Sequence, residues 1–469
     1  MDTNGKVGAK AYAVFGVFMM LIILSQTLPL PEGLTRPGMA ALLLLASSVI
    51  LWITEVMPLT ISTFLILSIM PYFGIMTFAD VWREAANTVF FFVLATFALT
   101  GALVNTNIPV RIASVVLRWA GTSSGKLVFG FILGAAVLSS VMSNVPTCAL
   151  FASLAITIIK ANGDKKPGET NLGRALMIGV PAGSVLGGFM TPAGGPTNII
   201  AINFLNRYAD VRITFLDWMI LGIPLGFAGV ALVSIIIVLI FKPEPVTEEA
   251  LQFARKSMAA IGPLSPAEIK TLTIIALMFV FWISSTWIPA INTTAVALLG
   301  MVCFFLPGVR VLNWRKFNDN ASWDVLFMIG GVGALAAGVL STGAASWIID
   351  ALLANAASWP TLVTLICISA TTCFLHILIP SGPAVVGLTA IPMISVALIC
   401  GISPAAAAVI TAFWGGVTFV LPMDSVPLLT YRYGYYKMID MVKSGIPASL
   451  ILILVVALGA PPILRLLGY

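Results

Sequence analysis

Apolar residues run for roughly 20 positions at a time along this chain, enough to cross the hydrocarbon core of a bilayer as a helix. Ala11–Leu28, Gly222–Phe241, Ile269–Ile288 and Leu450–Leu467 are the clearest runs. About eleven spans of this kind fit the length, with room for two shorter re-entrant hairpins. Polar breaks interrupt the apolar runs at four places. In the first half they are Ser143-Asn144-Val145-Pro146 and Thr191-Pro192-Ala193-Gly194-Gly195-Pro196-Thr197-Asn198. In the second half they are Ser381-Gly382-Pro383 and Pro422-Met423-Asp424-Ser425-Val426-Pro427. A helix broken at depth leaves amides and carbonyls that lipid cannot satisfy, so such breaks belong where protein or a water-filled cavity receives them. Paired breaks in two halves point to the binding site of a transporter.

The pattern predicts an all-α polytopic membrane protein. Ala11–Leu28, Pro37–Met57, Leu59–Phe73 and Val89–Thr106 read as spans, Pro109–Ala120 as an inner surface helix, and Leu127–Lys160 as an inner hairpin with its tip near Asn144. Leu172–Leu205 crosses with a break near Gly194, and Leu216–Phe241 returns. The charged, Pro-containing stretch Lys242–Pro266 reads as a linker. The scheme then recurs: Ile269–Ile288, Thr293–Leu306, Val325–Thr342, an outer surface helix near Ala344–Ala356, an outer hairpin Thr361–Cys400, a broken span Pro404–Tyr431 and a last span Ile446–Leu467. Sliding the chain on itself by 236 residues aligns Val89 with Val325 and Thr106 with Thr342; a slide of 238 aligns Ser143 with Ser381. Chance matches among apolar residues are frequent, so the order of elements carries the repeat.

Composition agrees: 59% of residues are hydrophobic, 9% are charged and mean hydropathy is +1.07. No soluble chain of this length hides so much apolar surface. No small-residue cleavage site follows the first apolar run, which therefore reads as a retained helix with no signal peptide. The five cysteines, Cys148, Cys303, Cys367, Cys373 and Cys400, lie in apolar segments without metal-like spacing and read as free thiols.

The net charge of +6 is a topology signal and not a nucleic-acid footprint. With the N-terminus in the cytoplasm, 19 of the 24 Lys and Arg residues fall inside, and only Arg36, Arg83, Arg207, Arg212 and Arg465 fall outside. That places the protein in the cytoplasmic (inner) membrane, N-terminus inside. Lys and Arg flank the first hairpin, whereas none occurs between Lys316 and Arg432. The two halves thus have opposite topology, an inverted repeat suited to alternating access.

At these residues the chain resembles the divalent anion–sodium symporters, the INDY-like carriers of citrate and C4-dicarboxylates. That family carries Ser-Asn-Thr at each hairpin tip and a Gly/Thr-Pro-Pro-Asn type break in each following helix. Here the first tip reads Ser143-Asn144-Val145, the break reads Gly194-Gly195-Pro196-Thr197-Asn198, and Trp52-Ile53-Thr54-Glu55-Val56-Met57-Pro58-Leu59 is similar to a signature near the second and third spans. The resemblance implies a homodimer of elevator type, with a rigid scaffold flanking a mobile transport domain. The scaffold would comprise residues 1–126 and 267–359, the transport domain residues 127–241 and 360–469, and residues 242–266 a cytoplasmic linker. It also implies Na⁺-coupled uptake of a small anionic carboxylate.

The first site is readable from the residues. Na⁺ is a hard cation that takes oxygen ligands. Ser139, Ser143 and Asn144 stand at i, i+4 and i+5 and can gather their oxygens where the hairpin unwinds, with Gly194 carbonyls completing the cage. The resemblance puts the family's first sodium site on the same Ser139, Ser143, Asn144 and Gly194. Helix N-termini after the breaks direct positive dipole ends at the cavity and favour a carboxylate, which places substrate at Asn144, Val145, Gly195 and Pro196. In the second half the corresponding positions are Ser381, Gly382 and Ser425. Here the family's pattern is altered: Ile377, Gly382 and Pro383 supply no side-chain ligand, and Asp424 stands where a small residue is usual. An ionisable residue at this depth defaults to a functional assignment. Pro380, Gly382 and Asp424 form a candidate second cation site, or Asp424 carries H⁺ in place of Na⁺. His376 and Glu55 read as structural. A metalloprotease needs two histidines in His-Glu-x-x-His, and the chain has one. A passive channel is the other alternative class.

Overall fold

A computed structural model describes residues 9–163, 167–259, 261–347 and 359–469. All regular structure among them is helical. The first half runs α1 (Ala9–Thr27), α2 (Arg36–Thr54), α3 (Leu59–Ile69), α4 (Phe78–Ala85), α5 (Thr88–Val104), α6 (Ile108–Ala120), α7 (Ser124–Ser139), α8 (Asn144–Ala161), α9 (Asn171–Met190), α10 (Pro196–Ala209) and α11 (Phe215–Phe241). After α12 (Glu248–Ala259) come α13 (Pro266–Ser284), α14 (Thr293–Phe305), α15 (Trp314–Asn318) and α16 (Trp323–Ser341). The chain closes with α17 (Thr361–Leu378), α18 (Gly382–Ile399), α19 (Pro404–Gly416), α20 (Ser425–Tyr431) and α21 (Met438–Leu466). Among the described residues, ten helices are long and apolar enough to cross a membrane, and five shorter apolar ones accompany them.

The order of elements repeats as the sequence pattern implies: α5 with α16, the α7–α8 hairpin with α17–α18, the broken pair α9–α10 with α19–α20, and α11 with α21. The expected outer surface helix near Ala344–Ala356 lies outside the described residues from position 348 onward.

Two compact units emerge, each drawn from both halves of the sequence. One comprises the described residues of Met1–Phe91, Ile200–Arg212 and Ser322–Thr411; the other comprises Phe92–Ile199, Ile213–Ala321 and Ala412–Tyr469. In the first, α16 packs on α3, α4 and α18. A Cβ at Gly331 would collide with Thr63, so glycine sets that approach. Arg207 pairs with Glu84, and Ser395 donates to the Tyr208 hydroxyl at 2.9 Å. The second hairpin turns at residues 379–381, and His376 near its tip is 3% exposed.

In the second unit α9 is the axis, packed by α7, α8 and α11 and buried over nearly its whole length. Gly183 and Gly187 lie where a Cβ would collide with the backbone of Ile132 and Ala136 in α7. Small residues four apart let two helix backbones touch, the usual device where lipid supplies no hydrophobic drive. The stretch expected to be a linker is docked here. Glu244 accepts from the backbone N–H groups of Asn171 (3.0 Å) and Leu172 (2.6 Å), supplying partners that the first turn of α9 lacks within the helix. Ser124 donates to the Pro243 carbonyl, Thr247 N–H donates to Asn162, and α12 packs on α6 and α8.

Candidate functional site

The first hairpin tip and the first break meet inside the second unit. Residues 140–143 join α7 to α8, with Ser143 as the N-cap residue of α8, and residues 191–195 separate α9 from α10. Ser139, fully buried, donates its hydroxyl to Asn144 Oδ1 at 2.7 Å. Asn144 lies against Gly188, where a Cβ would collide with its side-chain amide. A Cβ at Gly194 would stand 2.7 Å from the Gly188 carbonyl oxygen and 3.0 Å from that of Ser139. Three of the four residues expected to hold the first cation, Ser139, Asn144 and Gly194, therefore share one oxygen-rich corner. Ser143 adjoins it, its N–H donating to Thr100 Oγ1 at 3.0 Å.

The break is braced by its own side chains. Thr191 Oγ1 donates to the Ser140 carbonyl at 2.5 Å and accepts from Gly194 N–H at 3.1 Å. Asn198 donates its amide to the carbonyls of Gly188 (2.7 Å) and Thr191 (2.8 Å). Its Oδ1 is buried and, among the described residues, accepts no hydrogen bond. A buried acceptor in that condition is what an ion or an ordered water satisfies.

A cavity of about 20 Å³ lies between the tip and the break, lined by Ser143, Gly194, Gly195 and Pro196 and closed on one side by Phe92, Thr96 and Phe97 of α5. It has room for one water-sized occupant and none for a dicarboxylate. Asn144, Val145 and Pro196 are half-buried, at the first turns of α8 and α10, where free N–H groups favour an anion. Sequence reasoning assigned no role to Thr96, Thr100, Thr191 or Asn198. For the last two the signal was present, as polar residues inside the break itself; Thr96 and Thr100 sit in an unbroken apolar helix and carry none.

The second break runs over residues 417–424. Asp424 is the N-cap of α20, its Oδ1 accepting from Val426 N–H at 3.0 Å and from the Ser425 hydroxyl at 3.2 Å. Helix α20 packs on α8 and α9, and Cys148 Sγ donates to the Val426 carbonyl at 3.6 Å, one turn from Asn144. Thr197 lies against Gly416, and Phe189 meets Phe413 edge to face at 5.0 Å. The two breaks are thus neighbours. Pro380, Ser381 and Gly382 belong to the first unit. There Ser381 donates to Met328 Sδ at 3.4 Å, and Gly382 opens α18 with Pro383 at its start.

Broken helices, the α7–α8 hairpin and, among the described residues, ten candidate spans define a polytopic, all-helical membrane protein. The chain belongs to the sodium:sulfate symporter family, whose transmembrane-region profile matches residues 9–465, and so to the divalent anion–sodium symporters that its motifs resemble. It is 25% identical over 472 residues to the sodium-dependent dicarboxylate transporter SdcS of Staphylococcus saprophyticus, covering 95% of this chain and 90% of that one. SdcS of Staphylococcus aureus strain USA300 is 23% identical over 462 residues, covering 94% and 88%. The fold resembles the Alcanivorax borkumensis YdaH transporter (TM-score 0.57, 15% identity, covering 85% of this chain and 89% of that one). It also resembles MtrF of Neisseria gonorrhoeae (TM-score 0.56, 13% identity, covering 96% and 93%).

Proposed function

We propose that the protein is a secondary active transporter that brings a small dicarboxylate of the succinate, malate or fumarate type, or citrate, across the cytoplasmic membrane by Na⁺ symport. The observation that carries this reading is the oxygen-lined corner at the first hairpin tip. Ser139, Asn144 and the Gly188 and Gly194 backbone offer neutral oxygens to a hard cation, and the adjoining helix N-termini offer N–H groups to an anion. A cation and a carboxylate placed side by side bind better than either alone, which is what symport requires. The cavity suits the cation; the carboxylate lies at its mouth, by Asn144, Val145, Gly195 and Pro196. Coupling has a physical purpose, because a dianion entering a negative-inside cell works against about 2.3 kcal/mol per charge per 100 mV. The relatives named sodium-dependent dicarboxylate transporters support the same choice of ion and substrate.

In the second half, Ser425 is proposed as a substrate contact and Asp424 as a cation ligand at the second break; at the second hairpin tip, in the other unit, Ser381 and Gly382 are proposed for the substrate and Pro380 and Gly382 for a cation. A homodimer moving as an elevator, with its N-terminus inside, is part of the same proposal. A second reading, sulfate as the dianion, is favoured by the family's own description. An H⁺-coupled or cation-independent exchanger of carboxylates is favoured by Asp424, the titratable group at the second break. Uptake of labelled succinate, malate, citrate and sulfate into proteoliposomes under imposed Na⁺, H⁺ or no gradient tests all three. Saturable succinate uptake driven by Na⁺ is expected. Uptake of sulfate alone, or carboxylate exchange indifferent to cations, would replace the first reading.

A further inference from the structure

A second polar cavity lies at the end of α14, away from the hairpin tip. It measures about 470 Å³ and is lined by Phe305, Arg310, Val311, Leu312, Asn313 and Lys316. Arg310, Arg315 and Lys316 are all exposed, and among the described residues no carboxylate pairs with any of them. The loop that carries Arg310 is held in place. Lys270 Nζ donates to the Gly308 carbonyl at 2.5 Å, Leu312 N–H donates to the Phe304 carbonyl at 3.1 Å, and Asn313 caps α15 by accepting from Lys316 N–H at 2.8 Å. Arg310 itself adopts the left-handed conformation, φ 43°, a backbone cost that comes, among the described residues, with no carboxylate pairing its guanidinium.

An apolar track leads to this cavity. Leu299, Val302 and Leu306 are 66%, 53% and 44% exposed and follow one another along one face of α14 to its end, while Trp314 beside the cavity is 63% exposed. A tryptophan next to cations at the end of an apolar helix is the signature of the membrane–water interface. Cations without carboxylate partners there, at the end of a greasy helix face, match a lipid that has both a negative headgroup and a chain.

We infer that this cavity is a binding site for an anionic phospholipid. Its headgroup phosphate is bracketed by Arg310 and Lys316 and accepts from the Asn313 side-chain amide, and one acyl chain lies along Leu306, Val302 and Leu299. Free phosphate satisfies the cations but leaves the apolar track bare, so a lipid binds and inorganic phosphate at equal concentration does not.

The test uses the full-length protein, delipidated in mild detergent. Native mass spectrometry and thermal unfolding are followed with added phosphatidylglycerol, phosphatidylcholine or inorganic phosphate. Phosphatidylglycerol is expected to stay bound and raise the unfolding midpoint, and the others are not. Arg310→Gln/Lys316→Gln is expected to weaken phosphatidylglycerol retention by at least roughly tenfold, while Arg118→Gln/Lys443→Gln, equally exposed cations elsewhere, leaves it unchanged. If the double variant unfolds, Arg310→Gln alone read by mass spectrometry decides. Equal retention by wild type and variant, equal binding of phosphatidylcholine, or the same midpoint shift from phosphate would overturn the proposal. So would equal loss in the control variant. A variant that alters only the oligomeric mass marks this face as a contact between copies, and the lipid site is then rejected.

Discussion

Asn198 reaches back across the first break to donate its side-chain amide to the Gly188 carbonyl at 2.7 Å. Since α9 stops at Met190, the carbonyls of its last turn have no helical partners. Asn198 supplies donors to two carbonyls and leaves its own oxygen buried and available. Removing it should cost stability first. We expect Asn198→Ala to lower stability by about 2 kcal/mol, the scale of buried acceptors left without donors. Asn198→Asp should be worse, because it sets a negative charge against two carbonyl oxygens. Thermal melts of the purified variants read both; a melt of Asn198→Ala coincident with wild type would show that water takes over the role.

Asn144→Ala and Ser143→Ala should abolish Na⁺-driven uptake while leaving the fold intact. Both are half-buried at the tip, so truncation creates little cavity but removes polar groups where the cation and carboxylate would meet. Wild-type protein should melt higher in Na⁺ than in choline, since a ligand that binds only the folded state stabilises it. That difference should vanish in Asn144→Ala. Near-normal uptake by this variant would remove the main support for the site.

Gly187→Ala should destabilise more than its single methyl implies, by about 1–3 kcal/mol, because the new Cβ meets the backbone of Ala136 and forces α7 away from α9. Since α7 carries Ser139 at its end, Na⁺ affinity should weaken as well. The readouts are the unfolding midpoint and the Na⁺ concentration giving half-maximal uptake.

Asp424 caps α20, and this separates its structural role from its charge. Asparagine caps as well as aspartate, whereas alanine costs about 1 kcal/mol. Asp424→Asn should therefore fold like wild type, and Asp424→Ala should melt lower. If the carboxylate holds a cation, Asp424→Asn reduces the steepness of Na⁺ activation; if it carries a proton, the variant flattens the pH dependence and keeps the Na⁺ response. Unchanged responses to both ions would leave Asp424 a structural residue.

Arg111 and Glu268 pair at 2.7 Å, and Arg111 also donates to the carbonyls of Gly262 and Pro263. Glu268 is 1% exposed, so removing its partner strands a buried charge, which costs more than removing both. Arg111→Met should lower the unfolding midpoint more than Arg111→Met/Glu268→Leu does. Additive effects in that cycle would mean the pair contributes no coupling.

Several features of this protein follow from local sequence alone. The spans are legible because transferring some twenty apolar residues into lipid depends on composition and little else. Breaks at Gly194 and Asp424 are legible because Pro and Gly interrupt helices wherever they occur. Ser139, Ser143 and Asn144 could be grouped because helical geometry fixes neighbours within five positions. The stretch 242–266 shows the limit: its charge marks it as outside the membrane, but nothing in it announces that Glu244 will close the start of α9. Thr100 meeting Ser143, Gly187 meeting Ala136 and Arg111 meeting Glu268 were likewise decided by tertiary structure. Each depends on how closely two distant backbones approach, and that distance is set jointly by every side chain between them, not by the pattern of either segment.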